Sequence, residues 1–213
     1  MVRAAHGRES QFRDLVHAIA MGDAPAAARL LAISPGLATE RAHKGATRQT
    51  EKPHWLEEIQ HYLYAGDTAL HIAVAAYQRD IAADLIARGA DVRARNRRGA
   101  EPLHYAADGV PASRAWNPGA QAATIACLIA AGADPNAVDK SGVTPLHRAV
   151  RTRCAAAVKA LLEGGADALA RNGSGSTPML LARLSTGRGG SGSPQAKAQR
   201  EEILRFLREV GAA

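Results

Sequence analysis

The feature that most constrains this chain is a short pattern that returns at a fixed spacing. Its first half runs from a glycine to Leu-His or a close variant, and its copies begin at Gly66, Gly99, Gly142 and Gly175. These glycines are 33, 43 and 33 residues apart, so the middle interval is one period with ten added residues. The second half, Gly-Ala-Asp, begins at Gly89, Gly132 and Gly165. A period of this length predicts an array of similar structural modules.

The most regular copy, residues 142–167, shows what one module forms. Thr144-Pro145 is a helix start, with a hydroxyl to cap free amides and a proline where its missing N–H costs nothing. Two apolar stripes at helical spacing follow, Leu146, Ala149 and Val150, and then Val158, Leu161 and Leu162. Gly164-Gly165 ends the second helix. The module is therefore an antiparallel helix pair, and such pairs must stack because one pair cannot bury both of its faces.

These tags on a 33-residue period resemble the ankyrin repeat family over roughly residues 10–212. The resemblance implies an all-α fold with short β-hairpin loops, a solenoid of five stacked helix-turn-helix units in a single domain, residues 1–213. The repeats are expected at about 10–39, 66–98, 99–141, 142–174 and 175–212. It also implies that the histidine of each tag joins its helix start to the neighbouring hairpin through both ring nitrogens. His71, His104 and His147 are thus predicted to be structural.

Three insertions interrupt the period, at about 40–64, 108–118 and 186–197. In the first, the spacing of apolar residues in Pro53–Leu63 predicts an amphipathic helix. This helix either folds back on the stack or forms a partner-facing ridge with Trp55 or Tyr64 as anchors. In the second, Trp116 either packs under its own loop or takes part in recognition.

The third insertion is rich in Gly and Ser and is predicted to be a mobile linker. Its GRGGSGS stretch lacks the lysine and the strand–loop–helix context of a phosphate-binding loop. The last helix, predicted over Gln195–Val210, has one apolar face and is otherwise strongly polar. This pattern is typical of a closing cap at the end of a repeat array.

The basic residues are concentrated in one predicted hairpin, Asp91–Gly99. A two-residue alternation would place Arg93, Arg95 and Arg97 on one side, with Arg98 at the tip and no acidic neighbour. Such a cluster is either a solvated tip or a site for acidic protein surfaces or phosphate groups. Arg148 and Arg151 are predicted to form a basic spot on an inner helix. The net charge of +7 and the pI of about 9.9 are by themselves weak evidence for any partner.

The array contains no evident reaction chemistry, so we expect a non-catalytic scaffold that binds another protein, acidic at the contact, through hairpin tips and a concave helix face. The resemblance places contacts near the hairpin glycines and late in the first helices, at Tyr64, Asp67, Arg97, Arg98, Lys140, Ser141, Val143, Arg151 and Thr152. Four further residues are candidates by their type, Arg93, Arg95, Trp55 and Trp116.

Two other functions and a metal site are alternatives to this expectation. Nucleic-acid or other polyanion binding through Arg93–Arg98 stays an alternative, although no stacking aromatics are interleaved with the arginines in sequence. An enzyme is disfavoured because no serine, cysteine or carboxylate pair has a base and an orienting group beside it. His54, Glu58 and His61 have the spacing of metal ligands on a helix but lack a fourth member. We therefore expect no cofactor, no metal and no small-molecule substrate.

Composition indicates the compartment. Cys127 and Cys154 do not make a disulfide framework, and free thiols suit a reducing environment. No apolar run reaches membrane-spanning length, and the N-terminus lacks the apolar core of a signal peptide. We expect a monomeric cytoplasmic protein, with secretion into a host cell without a cleavable signal peptide left open. Heavy use of Ala, Arg and Gly is typical of a high-GC bacterial genome.

Overall fold

A computed structural model describes residues 2–47, 49–111, 113, 116–184 and 194–212, with side chains from residue 7 onwards. Backbone contacts divide the chain into two compact units, Met1–Pro102 and Leu103–Ala213. The first unit contains four α-helices: α1 Val2–Ala20, α2 Ala24–Ile33, α3 Ala69–Ala75 and α4 Arg79–Ala87. Six more α-helices follow in the second unit: α5 Pro102–Ala107, α6 Pro118–Ala130, α7 Pro145–Arg151, α8 Ala155–Glu163, α9 Pro178–Arg183 and α10 Pro194–Glu209. Pro102, the first residue of α5, is counted in the first unit. The prediction of a mostly helical fold built from helix pairs is confirmed.

Helix starts follow the predicted capping chemistry. The Thr144 hydroxyl accepts a hydrogen bond from the N–H of His147 at 3.3 Å, and Thr177 accepts one from Leu180 at 3.2 Å. The Gly-Ala-Asp glycines end the second helices, and each has a positive φ of about 90°, a conformation that glycine adopts without strain (Gly89, Gly132 and Gly165).

The tag histidines bond as predicted. His71 Nδ1 accepts from the Thr68 N–H at 3.1 Å, and its Nε2 donates to the Ala100 carbonyl at 3.2 Å. His147 repeats the arrangement, with Nε2 3.0 Å from the carbonyl oxygen of Ser176. His104 Nε2 lies 3.0 Å from the carbonyl oxygen of Val143. Each imidazole thereby joins a first helix to the hairpin that follows, which confirms the structural interpretation.

Each unit has a core of small and medium aliphatic side chains. In the first unit α1 packs on α2 and α3, and α3 packs on α4. Fully buried side chains there include Leu15, Ile19, Leu31, Leu70 and Ile72. In the second unit α6 and α10 both pack on α8, and α7 packs on α8 and α9, around Ile125, Leu128, Leu146, Leu161 and Leu207. None of the helices that the structure describes combines the length and hydrophobicity needed to span a bilayer.

The helix predicted over Pro53–Leu63 is wrong. These residues form a small antiparallel hairpin, β1 Trp55–Leu56 and β2 His61–Tyr62, with Trp55 opposite Tyr62. Short 3-10 turns, Lys52–His54 and Glu57–Ile59, flank and connect the strands, and Gln60 closes the turn with a φ of 50°. The stretch is so short that the spacing of its apolar residues fits both a helix and a pair of strands. The cross-strand pair of Trp55 and Tyr62 then favours the hairpin.

Other boundaries also differ from the predicted ones. Helix α1 begins at Val2, although residues 1–10 were expected to lie outside the first repeat. Of the insertion predicted at 186–197, residues 186–193 lie outside the described residues, and 194–197 form the first turn of α10. The loop predicted at 108–118 ends at Asn117, whose side chain caps α6 by accepting from Ala120. The assignment of all five pairs to one domain stays a prediction.

Candidate partner-binding site

The first insertion lengthens one hairpin of the first unit. Residues 41–46 run antiparallel to residues 63–68, joined by hydrogen bonds from Ala42 N–H to Asp67 O at 2.7 Å and from Ala46 N–H to Leu63 O at 2.7 Å. A third bond joins Gly66 N–H to Ala42 O at 2.8 Å. The inserted residues 49–62, including β1 and β2, therefore extend the end of this hairpin. We call residues 41–47 and 49–68 the finger.

Gly45 allows the two sides of the finger to approach closely. A Cβ atom built at Gly45 would lie 2.3 Å from the Ala65 nitrogen and 2.5 Å from the Tyr64 Cα, and neither backbone atom can move away alone. We expect Gly45→Ala to separate the two sides and to accelerate amide hydrogen exchange across residues 41–66. Gly36→Ala is the matched control, because nothing lies within 4 Å of that position. Equal exchange in both variants would contradict this packing.

The next hairpin, Asn96–Ala100, lies against the base of the finger. The N–H of Arg97 donates to the Ala65 carbonyl at 2.8 Å. The Asn96 carboxamide oxygen accepts from the N–H groups of Arg98 and Ala100, at 2.8 and 3.1 Å, and its NH₂ group donates to Asp67 at 2.8 Å. This turn fixes the backbone from which Arg97 and Arg98 project.

Both arginines lie over the ring of Tyr64. Their guanidinium carbons are 5.6 Å (Arg97) and 5.1 Å (Arg98) from the ring centre, within the range of cation–π attraction. Arg98 also donates to the Tyr64 hydroxyl at 3.1 Å, and Arg97 donates to the carbonyl of Ala46. The two exposed arginines are thus held in place by a half-buried ring.

Two more rings continue from Tyr64 towards the end of the finger. Tyr62 lies 6.3 Å from Tyr64, and Trp55 lies 4.6 Å from Tyr62, measured between ring centres. The Trp55 indole N–H donates to the Glu57 carboxylate. Trp55, Tyr62, Tyr64, Arg97 and Arg98 together are called the arginine–aromatic cluster.

The cluster brings together four residues that the sequence predicted as contacts, Trp55, Tyr64, Arg97 and Arg98. Tyr62, the fifth member, was not among the predicted contacts. The signal that could have found it is the similarity of His54-Trp55-Leu56 and His61-Tyr62-Leu63, two short runs with an aromatic residue between a histidine and a leucine.

Asp67 is not a contact residue, and its prediction is wrong. The side chain is fully buried, with one carboxylate oxygen 2.6 Å from the N–H of Tyr64 and the other accepting from Asn96. Asp67 therefore joins the base of the finger to the next hairpin and cannot reach a partner.

The other two arginines of the predicted basic hairpin have a different setting. The Arg95 guanidinium donates to the Gly99 carbonyl at 3.2 Å and lies 3.7 Å from the Glu101 carboxylate, so this hairpin does have an acidic neighbour. The Arg93 N–H is held by Asp91 in a turn, and residues 91–99 include no regular strand. The predicted two-residue alternation therefore does not apply, whereas Arg97 and Arg98 both lie over Tyr64.

In the second unit, the candidates Lys140, Ser141 and Arg151 are exposed. Arg148 is buried, so the basic spot predicted for Arg148 with Arg151 is wrong. The Arg148 guanidinium donates to Asp108 at 2.9 Å and to Asp139 at 3.2 Å. Although burial alone would raise it, the pKa of Asp139 is held below its ordinary value by the N–H groups of Ser141 and Val143 and by Arg148.

Two further candidates of this unit serve its own packing. Trp116 is half-buried and donates its indole N–H to Gln121 at 2.9 Å, and the fully buried Gln121 donates to the carbonyls of Ala106 and Asp108. The ring is therefore anchored to the start of α6. Thr152 is buried, and its hydroxyl donates to the Arg148 carbonyl at 3.0 Å, which excludes it from a contact surface.

Buried titratable groups in the second unit are poorly suited to chemistry. Burial, with a contribution from Arg148, lowers the pKa of His104 to about 4. Burial raises the pKa of the Cys154 thiol to about 12, which leaves it protonated and unreactive. The described residues contain no group of three or more His, Cys, Asp or Glu side chains that could hold a metal ion. The helix that would have aligned His54, Glu58 and His61 is absent, because those residues belong to the hairpin.

The structure has the features of a helical repeat protein. Its helices form antiparallel pairs, the tag histidines bond to the following hairpin, and glycines end the second helices. Family models identify the type of repeat: the model for "Ankyrin repeat" matches residues 65–97, and the model for "Ankyrin repeats (many copies)" matches residues 128–182. One match lies in each compact unit. Residues 65–97 and 128–182 are therefore ankyrin repeats. A search of curated proteins found no match.

Proposed function

We propose that this protein is a non-catalytic scaffold that binds an acidic surface of another protein through the arginine–aromatic cluster. Ankyrin repeats are in general protein–protein interaction modules without catalytic activity of their own. The observation that carries the proposal is the contact of Arg97 and Arg98 with Tyr64, which holds two cationic groups over a partly exposed ring.

The chemistry of the cluster fits a binding site. Tyrosine, tryptophan and arginine are the residues most enriched at interface hot spots. Among the described residues, no carboxylate forms an ion pair with Arg97 or Arg98, so both charges remain available to a partner. Their contacts with Tyr64 and Ala46 restrict the side chains before binding, which reduces the entropy lost on association.

Polyanion binding is the second candidate, and one observation favours it. The sequence separates the arginines from aromatic residues, but the fold places Arg97 and Arg98 over Tyr64, as in stacking platforms for single strands. Glu57 and the exposed Glu58 at the other end of the cluster oppose it, because they would repel phosphates. A filter-binding assay at low salt with single-stranded DNA and RNA distinguishes the two, and we expect no retention.

Reversing both charges tests the proposed function. We expect R97E/R98E to reduce capture of the bound protein from lysate of the source cells by at least about tenfold, since each new carboxylate would face an acidic partner. Capture by the unchanged protein should fall as salt rises to about 0.5 M. R29E/R208E is the matched control, because it makes the same change in net charge at exposed positions on α2 and α10.

Thermal melts of both variants establish that the fold is intact before capture is compared. A protein captured equally by unchanged, control and R97E/R98E chains would show that the cluster is not the binding site.

A further inference from the structure

The arginine–aromatic cluster has opposite charges at its two ends. Arg97 and Arg98 lie at the Tyr64 end. At the Trp55 end, Glu57 accepts the indole N–H, and the exposed Glu58 follows it in the same 3-10 turn. Within the described part of the chain, no ion pair engages either glutamate, so these charges also face outwards.

Neighbouring charges preserve this polarity. Glu51 and Lys52 precede β1, are both exposed, and carry charges that offset each other. At the base of the finger, Arg41 donates to the Arg95 carbonyl and Lys44 is exposed, which adds to the positive end. A ligand that carries only one sign of charge along its length would therefore be attracted to one end of the cluster and repelled by the other.

The distances set the length of a ligand that could contact both ends. From Arg98 to Tyr64, Tyr62 and Trp55, successive centres are 5.1, 6.3 and 4.6 Å apart. An extended peptide advances about 3.3 Å per residue, so about five residues cover this path at most. Between the charged ends, the tyrosine and tryptophan rings offer apolar surface to a side chain.

We propose that the cluster recognises an extended peptide segment with a carboxylate side chain at one end, a cationic side chain about three to five residues away, and an apolar residue between them. The carboxylate lies against Arg97 and Arg98, and the cation lies against Glu57 and Glu58. This inference rests on the proposed function and specifies the partner's chemistry. It also predicts that a uniform polyanion binds poorly, because its second phosphate would meet the glutamates.

Selection from a phage-displayed library of random peptides, about twelve residues long, on the immobilised whole protein tests the inference. We expect the unchanged protein to enrich peptides carrying an acidic and a basic residue at the stated separation. E57K/E58K should lose the basic residue from the consensus, and R97E/R98E should lose the acidic one. E58K alone is the second variant, because Glu58 makes no contact on which the hairpin depends, whereas Glu57 bonds Trp55.

The consensus peptide is then synthesised and its affinity measured by fluorescence anisotropy. We expect E57K/E58K and R97E/R98E each to weaken binding by at least about tenfold, and E57K/E58K to gain affinity for an oligothymidylate probe that the unchanged protein does not bind. Acidic-only peptides whose binding is unaffected by E57K/E58K or E58K would overturn the two-ended site and leave the proposed function standing. Peptides insensitive to R97E/R98E, or tight oligothymidylate binding by the unchanged protein, would overturn both.

Discussion

Replacing Arg148 with alanine is expected to lower the free energy of unfolding of the second unit by about 3–5 kcal/mol, the cost of removing one partner from a buried ion pair. Its guanidinium is the shared partner of Asp108 and Asp139, at 2.9 and 3.2 Å, and the residue is only 7% exposed. Without it, two carboxylates in a poorly solvated site repel each other and lose charge-assisted hydrogen bonds.

Urea unfolding followed by Trp116 fluorescence in a Trp55→Phe background reports on the second unit. Arg151→Ala is the matched control, because this arginine ends the same helix and is exposed, and we expect it to change stability by less than about 1 kcal/mol. Adding Asp108→Asn and Asp139→Asn to Arg148→Ala should recover part of the loss, since the unpaired charges are then removed. Equal stability of Arg148→Ala and Arg151→Ala would contradict the buried ion pair.

Acid is expected to destabilise the second unit well above the pH at which carboxylates titrate. Burial and Arg148 lower the native pKa of His104 to about 4, whereas an unfolded histidine has a pKa near 6.5. Between these values the unfolded chain binds more protons, so stability is complete above about pH 6.5 and falls as the pH drops towards 4. This difference corresponds to a loss of about 3 kcal/mol from His104 alone.

The variant His104→Gln isolates that contribution. It should be less stable than the unchanged protein at neutral pH, because the hydrogen bond to the Val143 carbonyl is altered, but the gap should narrow by about 2–3 kcal/mol at about pH 4.5. Burial lowers the pKa of His147 as well. The His104→Gln variant should therefore still lose stability in acid, but less steeply than the unchanged protein. If the difference in unfolding free energy between the two proteins is the same at neutral pH and at pH 4.5, His104 is not the cause of the acid destabilisation.

The repeat frame could be predicted because its determinants are local. Thr144 caps its helix by bonding the N–H of His147, only three residues away. The glycines that end the second helices require only a positive φ at their own position. The histidine hydrogen bonds join residues 29 or more positions apart. They could still be predicted, because the repeat period shows which hairpin lies next to each histidine. Sequence reasoning therefore placed the helix pairs and the role of the imidazoles correctly.

The parts that differ depend on contacts that no repeat pattern encodes. The resemblance predicted a contact at Asp67, but its buried carboxylate accepts a hydrogen bond from Asn96, 29 residues later. Arg148 is buried because Asp108, 40 residues earlier, reaches it from the second insertion. The first insertion lies outside the period, so only its own short apolar pattern was available, and that pattern fits a helix and a hairpin equally.

The most direct test of the binding surface is site-specific photo-cross-linking in the source cells. A photoreactive benzoylphenylalanine replaces Trp55 at one end of the cluster or, as a control, Arg29 on α2. We predict a discrete protein adduct from position 55 that disappears when R97E/R98E is added, and none from position 29. An adduct from position 29 only, or one from position 55 that survives R97E/R98E, would contradict binding through the arginine–aromatic cluster.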